Sequence, residues 1–133
     1  MVGEDFLDEI REDFSKIIGK KNILGILLFG SYLNGEETNR SDKDICIVAP
    51  EEDEYRIFSE ILEKINIGLK KYDIHFFSAL PLYIKIQIIE SGIVIYSSDE
   101  LELFEYFYKY RKLWSDQAER QKLTKEDLLS LLE

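Results

Sequence analysis

The chain has 133 residues, 45% hydrophobic and 33% charged, with two prolines and seven glycines. That describes one ordered α/β domain, and excludes both a disordered chain and a catalytic domain with a separate substrate-recognition domain. The formal net charge of -10 repels a polyanion, so direct nucleic-acid binding is not expected, whereas a basic protein partner would suit it.

Along residues 4–18, Phe6, Leu7, Ile10, Phe14, Ile17 and Ile18 recur at helical spacing, acidic residues lead and Lys16 trails, as the helix dipole favours. This is a first amphipathic helix. Residues 23–29 form an almost continuous apolar run that reads as a strand buried on both faces, closed by Gly30. A short helical turn over 32–35 and a polar loop over 36–41 lead to a second strand at 42–49. Pro50 stops that strand, because proline cannot donate to a ladder. Phe58, Ile61, Leu62, Ile65 and Leu69 then mark one further amphipathic helix, and residues 72–77 a third strand. Pro81 and Gly92 bracket a helix over 82–91, residues 93–96 read as a short edge strand, and the chain is helical from Asp99 onward. On that last helix Leu103, Phe107, Tyr110 and Trp114 make one stripe, and Phe104, Tyr108 and Arg111 another. One stripe packs on the sheet; the second exceeds what one core absorbs and suits an interface with a partner or a second copy. Thr124 to Asp127 resembles a capping box and predicts a separate last helix.

The single cysteine, Cys46, falls inside the second strand, which rules out disulfide stapling and predicts an inert, buried thiol in a reducing compartment. There is neither an apolar signal core nor a run approaching the ~20 residues of a membrane span, so a cytoplasmic protein is expected.

The chemistry concentrates between Leu27 and Val48. Backbone N–H groups after a glycine turn hold phosphate well, and Gly30-Ser31 follows a buried strand. Asp42 and Asp44 alternate on the second strand and project the same way, roughly 7 Å apart at ~3.3 Å per residue. Asp44 enters an apolar run, Ile-Cys-Ile-Val, where an uncompensated carboxylate is costly unless a metal or hydrogen bond offsets it. Asp73 on the third strand adds another carboxylate, with His75 on the same face. Three carboxylates at adjacent strand ends can grip two magnesium ions, one shared with a nucleoside triphosphate and one activating a hydroxyl. His75 reads as a packed or partner-facing residue, because magnesium prefers oxygen. Arg40, Lys43 and Lys85 read as surface cations.

Gly30-Ser31, ten intervening residues, then Asp42-x-Asp44 between apolar runs, with Asp73 later, resembles the signature of the polymerase-beta-like nucleotidyltransferase superfamily. Gly35 and Ser41 fit its fuller form; Leu33 departs from the small residue common there. The resemblance covers about 23–77, and the short length and helical extension over about 99–133 resemble the minimal nucleotidyltransferases, or MNT proteins. It implies a small mixed sheet flanked by helices, in an α/β (α+β) fold filling one domain over 1–133. It also implies a magnesium-dependent enzyme with ATP as donor, Gly30 and Ser31 on the phosphates, and Asp42, Asp44 and Asp73 as metal ligands and catalytic groups. Such proteins are often antitoxins of HEPN-type ribonuclease toxins, and some transfer AMP to a tyrosine of the toxin. Two alternatives stay open: an antitoxin that neutralises its partner by binding alone, and a transferase acting on a small molecule such as an antibiotic.

Overall fold

The computed structural model describes residues 3–19, 22–30 and 42–132, with backbone alone at 123 and 124. In chain order the elements are α1 (Glu4–Ile18), β1 (Gly25–Phe29), β2 (Lys43–Val48), α2 (Glu54–Lys64), α3 (Ile67–Lys70), β3 (Tyr72–Phe76), α4 (Leu82–Ser91), β4 (Ile93–Ser97) and α5 (Glu100–Leu132), with a 3-10 turn at Phe77–Ala79.

Among the described residues the strands form one mixed sheet in the order β3-β2-β1-β4. β1 runs antiparallel to both β2 and β4, while β3 lies parallel to β2. Parallel neighbours need a crossover, and α2 and α3 supply it. β4 is an edge strand, as predicted, and its pairing with β1 shifts register between Ile26 and Leu27. Arg11 Nε donates to the Ile95 carbonyl at 3.2 Å, tying α1 to that edge.

Both faces of the sheet are covered, which explains why β1 and β2 read as continuous apolar runs rather than alternating ones. Ile26, Leu28, Ile45 and Ile47 pack with Phe14, Ile57 and Ile61 on the side of α1 and α2. Leu27, Cys46 and Val48 pack with Phe77, Ile88, Leu103 and Phe107 on the side of α4 and α5. The strand period of two thus assigns each odd or even position to one of two cores.

Two helical expectations are corrected. The predicted single helix through Leu69 is split: Ile65 is extended and buried, and the Asn66 side chain accepts from Leu69 N at 3.1 Å to cap α3. Asparagine offers the backbone this alternative to a continuous helix, and the exposed Leu62 and Leu69 never join the core. Conversely, α5 runs unbroken through Thr124, so no separate last helix forms there. Its first stripe packs through Leu103, Phe107 and partly Tyr110, while Phe104, Tyr108 and Trp114 stay exposed.

Candidate active site

Asp44 is the second residue of β2 and Asp73 the second of β3, and the parallel register sets them directly opposite each other. Since Cys46 faces α4 and α5, so do Asp44 and, by the same alternation, Asp73 and His75. No single segment brings these side chains together; the ladder does.

His75 Nε2 lies 3.1 Å from Asp44 Oδ1 and 3.1 Å from Asp73 Oδ2, bridging the two carboxylates. One ligand atom from each of the three residues lies within 4.8 Å of the others. The imidazole meets the Phe29 ring edge-on, with centroids 5.3 Å apart, which fixes the plane of the bridge. Side-chain exposure rises from 24% at Asp44 through 29% at His75 to 52% at Asp73, so the group opens to solvent on the Asp73 side.

Gly30 holds φ at +89°, a conformation that favours glycine, and a Cβ there would collide with Asp44 Oδ2. The glycine that ends β1 therefore makes both the turn and the space for the carboxylate. Burial pushes the Asp44 carboxyl above the usual carboxylate range; the His75 hydrogen bond and charge oppose this, and neighbouring Asp73 adds to the rise.

The structure joins Asp44 and Asp73 as the sequence predicts. Asp42 is exposed just before β2 and is not part of the converged group. Among the described residues, ladder pairing with β3 begins at Lys43, one residue after Asp42. Ser31, Gly35, Arg40 and Ser41, with the predicted turn and loop, lie outside the described residues. Lys43 is no free surface cation: it points to the other face, where Nζ donates to the Lys70 carbonyl at 2.8 Å above the Phe6 and Tyr72 rings. Lys85 is likewise engaged, its Nζ 4.9 Å from the Tyr110 ring centroid. Cys46 is buried directly behind the site, as expected.

His75, which the sequence reads as a packed or partner-facing residue on the Asp73 face, packs against Phe29 and also lies between the two carboxylates.

The converged group suits a divalent metal. Two carboxylates held side by side repel each other, and burial disfavours the charged form of Asp44; a bound dication would relieve both effects. Their oxygens are the donors that hard cations take.

Comparison with known proteins identifies the family. The family model described as Polymerase beta, Nucleotidyltransferase matches residues 12–101, which contain the site. The chain is 51% identical over 98 residues to MJ1547 of Methanocaldococcus jannaschii, a protein named as a protein adenylyltransferase, covering 74% of this chain and 75% of that one. It is 43% identical over 70 residues to MJ1379 of the same organism, similarly named, covering 48% of this chain and 69% of that one.

Among solved structures, a toxin-antitoxin with AMP-PNP superposes with a TM-score of 0.66 at 20% identity, covering 89% of this chain and 98% of that one. The complex of tri-AMPylated Shewanella oneidensis HEPN toxin with MNT antitoxin gives 0.60 at 21%, covering 92% and 95%. At these identities the likeness concerns the fold. The family match over more than half the chain and the close similarity to MJ1547 go further: the chain belongs to the Polymerase beta nucleotidyltransferase family.

Proposed function

We propose that this nucleotidyltransferase is a magnesium-dependent antitoxin that moves AMP from ATP to a tyrosine hydroxyl of a HEPN-type ribonuclease. The observation that carries the reading is the in-register meeting of Asp44 and Asp73 beside Gly30. The protein adenylyltransferase name of MJ1547 supports the reaction class, and the toxin-antitoxin neighbours support the kind of partner.

In this reading Asp42, Asp44 and Asp73 hold magnesium, which supplies positive charge to the phosphates and to the developing leaving group. Gly30 and Ser31 offer backbone N–H groups to the β- and γ-phosphates. Asp73, the most open of the converged carboxylates, orients the acceptor hydroxyl and takes its proton. The hydroxyl oxygen bonds to the α-phosphorus, the bond from that phosphorus to the bridging oxygen breaks, and pyrophosphate leaves. Positioning and charge neutralisation are most of what such a transfer needs, so a sparse site suffices. The acceptor comes from another chain, and residues 1–133 act as one domain whose exposed α5 face meets it.

The test is transfer of labelled AMP from magnesium-ATP to the toxin, read by intact mass. Asp42→Asn with Asp44→Asn should lower transfer by about a hundredfold or more while circular dichroism stays native. Undiminished transfer by that folded variant would overturn the proposal. One observation favours a second reading, neutralisation by binding alone: α5 leaves Phe104, Tyr108, Leu113 and Trp114 exposed. Under it, the same double variant would still protect cells from the toxin.

A further inference from the structure

We propose that His75 is an inner-sphere nitrogen ligand of the metal site, and that it biases the site toward manganese or a similar transition cation over magnesium. This rests on the metal-dependent reading above and concerns a residue that reading leaves outside the ligand set.

The argument is geometric. In an octahedron with metal–ligand bonds of about 2.1 Å, ligand atoms at adjacent corners lie about 3.0 Å apart. His75 Nε2 stands 3.1 Å from an oxygen of Asp44 and 3.1 Å from an oxygen of Asp73. That is the spacing of one nitrogen cis to both carboxylates around a common centre. The edge-on Phe29 ring holds the imidazole there, at a centroid distance of 5.3 Å. β3 fixes His75 and Asp73 on one strand face, and the register brings Asp44 opposite.

Donor chemistry supplies the selectivity. Magnesium binds oxygen and keeps several waters, so an imidazole adds little to its affinity. Imidazole suits later divalent metals, and affinity for a mixed nitrogen and oxygen site rises from manganese along the first transition row. Adding one imidazole to the carboxylates therefore gains more for manganese than for magnesium.

The chain contains one histidine, so any histidine nitrogen on a bound metal is that of His75. The test uses untagged protein with manganese, and pulsed electron paramagnetic resonance to read nitrogen hyperfine coupling. Wild type should show a nitrogen-14 coupling that changes to the nitrogen-15 pattern when histidine alone is isotopically labelled, a comparison that leaves the fold untouched. His75→Ala should abolish the coupling and weaken manganese binding about tenfold in calorimetry, with magnesium binding changed far less.

Bound manganese without histidine coupling in wild type would overturn the inference while leaving the carboxylate metal site standing. Equal losses of manganese and magnesium affinity in His75→Ala would overturn the selectivity. No manganese binding at all would overturn the inference, while AMP transfer with magnesium-ATP tests the reading beneath it separately.

Discussion

Asp44 occupies a position where only a particular neighbour is tolerated. Its carboxylate fills the volume that a side chain on Gly30 would claim, and Gly30 itself holds φ at +89°. Gly30→Ala should therefore cost about 1–3 kcal/mol from the backbone conformation alone, visible as a lower urea midpoint. It should also weaken nucleotide binding, because the added methyl displaces Asp44. A variant with native stability and native binding would refute this account of the turn. At this scale much of the site was legible: Asp44 and Asp73 announce themselves by a carboxylate entering an apolar strand. His75 was legible as a same-face neighbour of Asp73, whereas its contact with Asp44 crosses between strands and was not. The exposure of Asp42 could not be read from alternation, because alternation holds only where the ladder fixes the backbone, and pairing starts one residue later.

Elements with two independent signals were read to the residue. α1 carries an unbroken apolar stripe with matched end charges, and α4 is bracketed by Pro81 and Gly92; both match their predicted spans. Where one signal stood alone it misled. Asn66 broke a helix that apolar spacing had extended, and Thr124 failed to start one. What joins the elements was not legible. Tyr72 at the start of β3 donates its hydroxyl to Asp13 Oδ2 on α1 at 2.5 Å, and Asp13 is otherwise closed off, at 8% exposure. Fifty-nine positions separate the pair, beyond any local pattern. Tyr72→Phe leaves that carboxylate without its hydroxyl donor, which should lower unfolding free energy by about 1–3 kcal/mol in urea titration. Lys70 Nζ, 3.5 Å from the same oxygen, would remain as its partner. An unchanged midpoint would show that the hydroxyl contributes nothing.

The molecule as a whole is a sheet with a core on each face, and Cys46 lies inside one of them. Burial pushes its thiol from an ordinary 9.0 up to about 12. The native state thus keeps a proton that the unfolded chain releases, so this contribution is complete below about pH 9 and is lost as pH climbs toward 12. Wild-type unfolding free energy should fall across that window, with a share of up to about 1.4 kcal/mol per pH unit from this thiol. Cys46→Ala should flatten the slope whatever its effect on absolute stability. An unaltered slope would mean that the thiol titrates alike in both states.

The parallel pairing of β2 with β3 has a consequence in time. Asp44 and Asp73 stand opposite one another only after α2 and α3 have closed a crossover between strands that are not hairpin neighbours, and such non-local pairing is slow compared with helix formation. A chain emerging during synthesis can therefore hold α1, β1 and β2 and still present Asp44 with no Asp73 opposite it. The facing carboxylates thus exist only once residues 72–76 have joined the sheet, and a dication bound between them would report that step of folding.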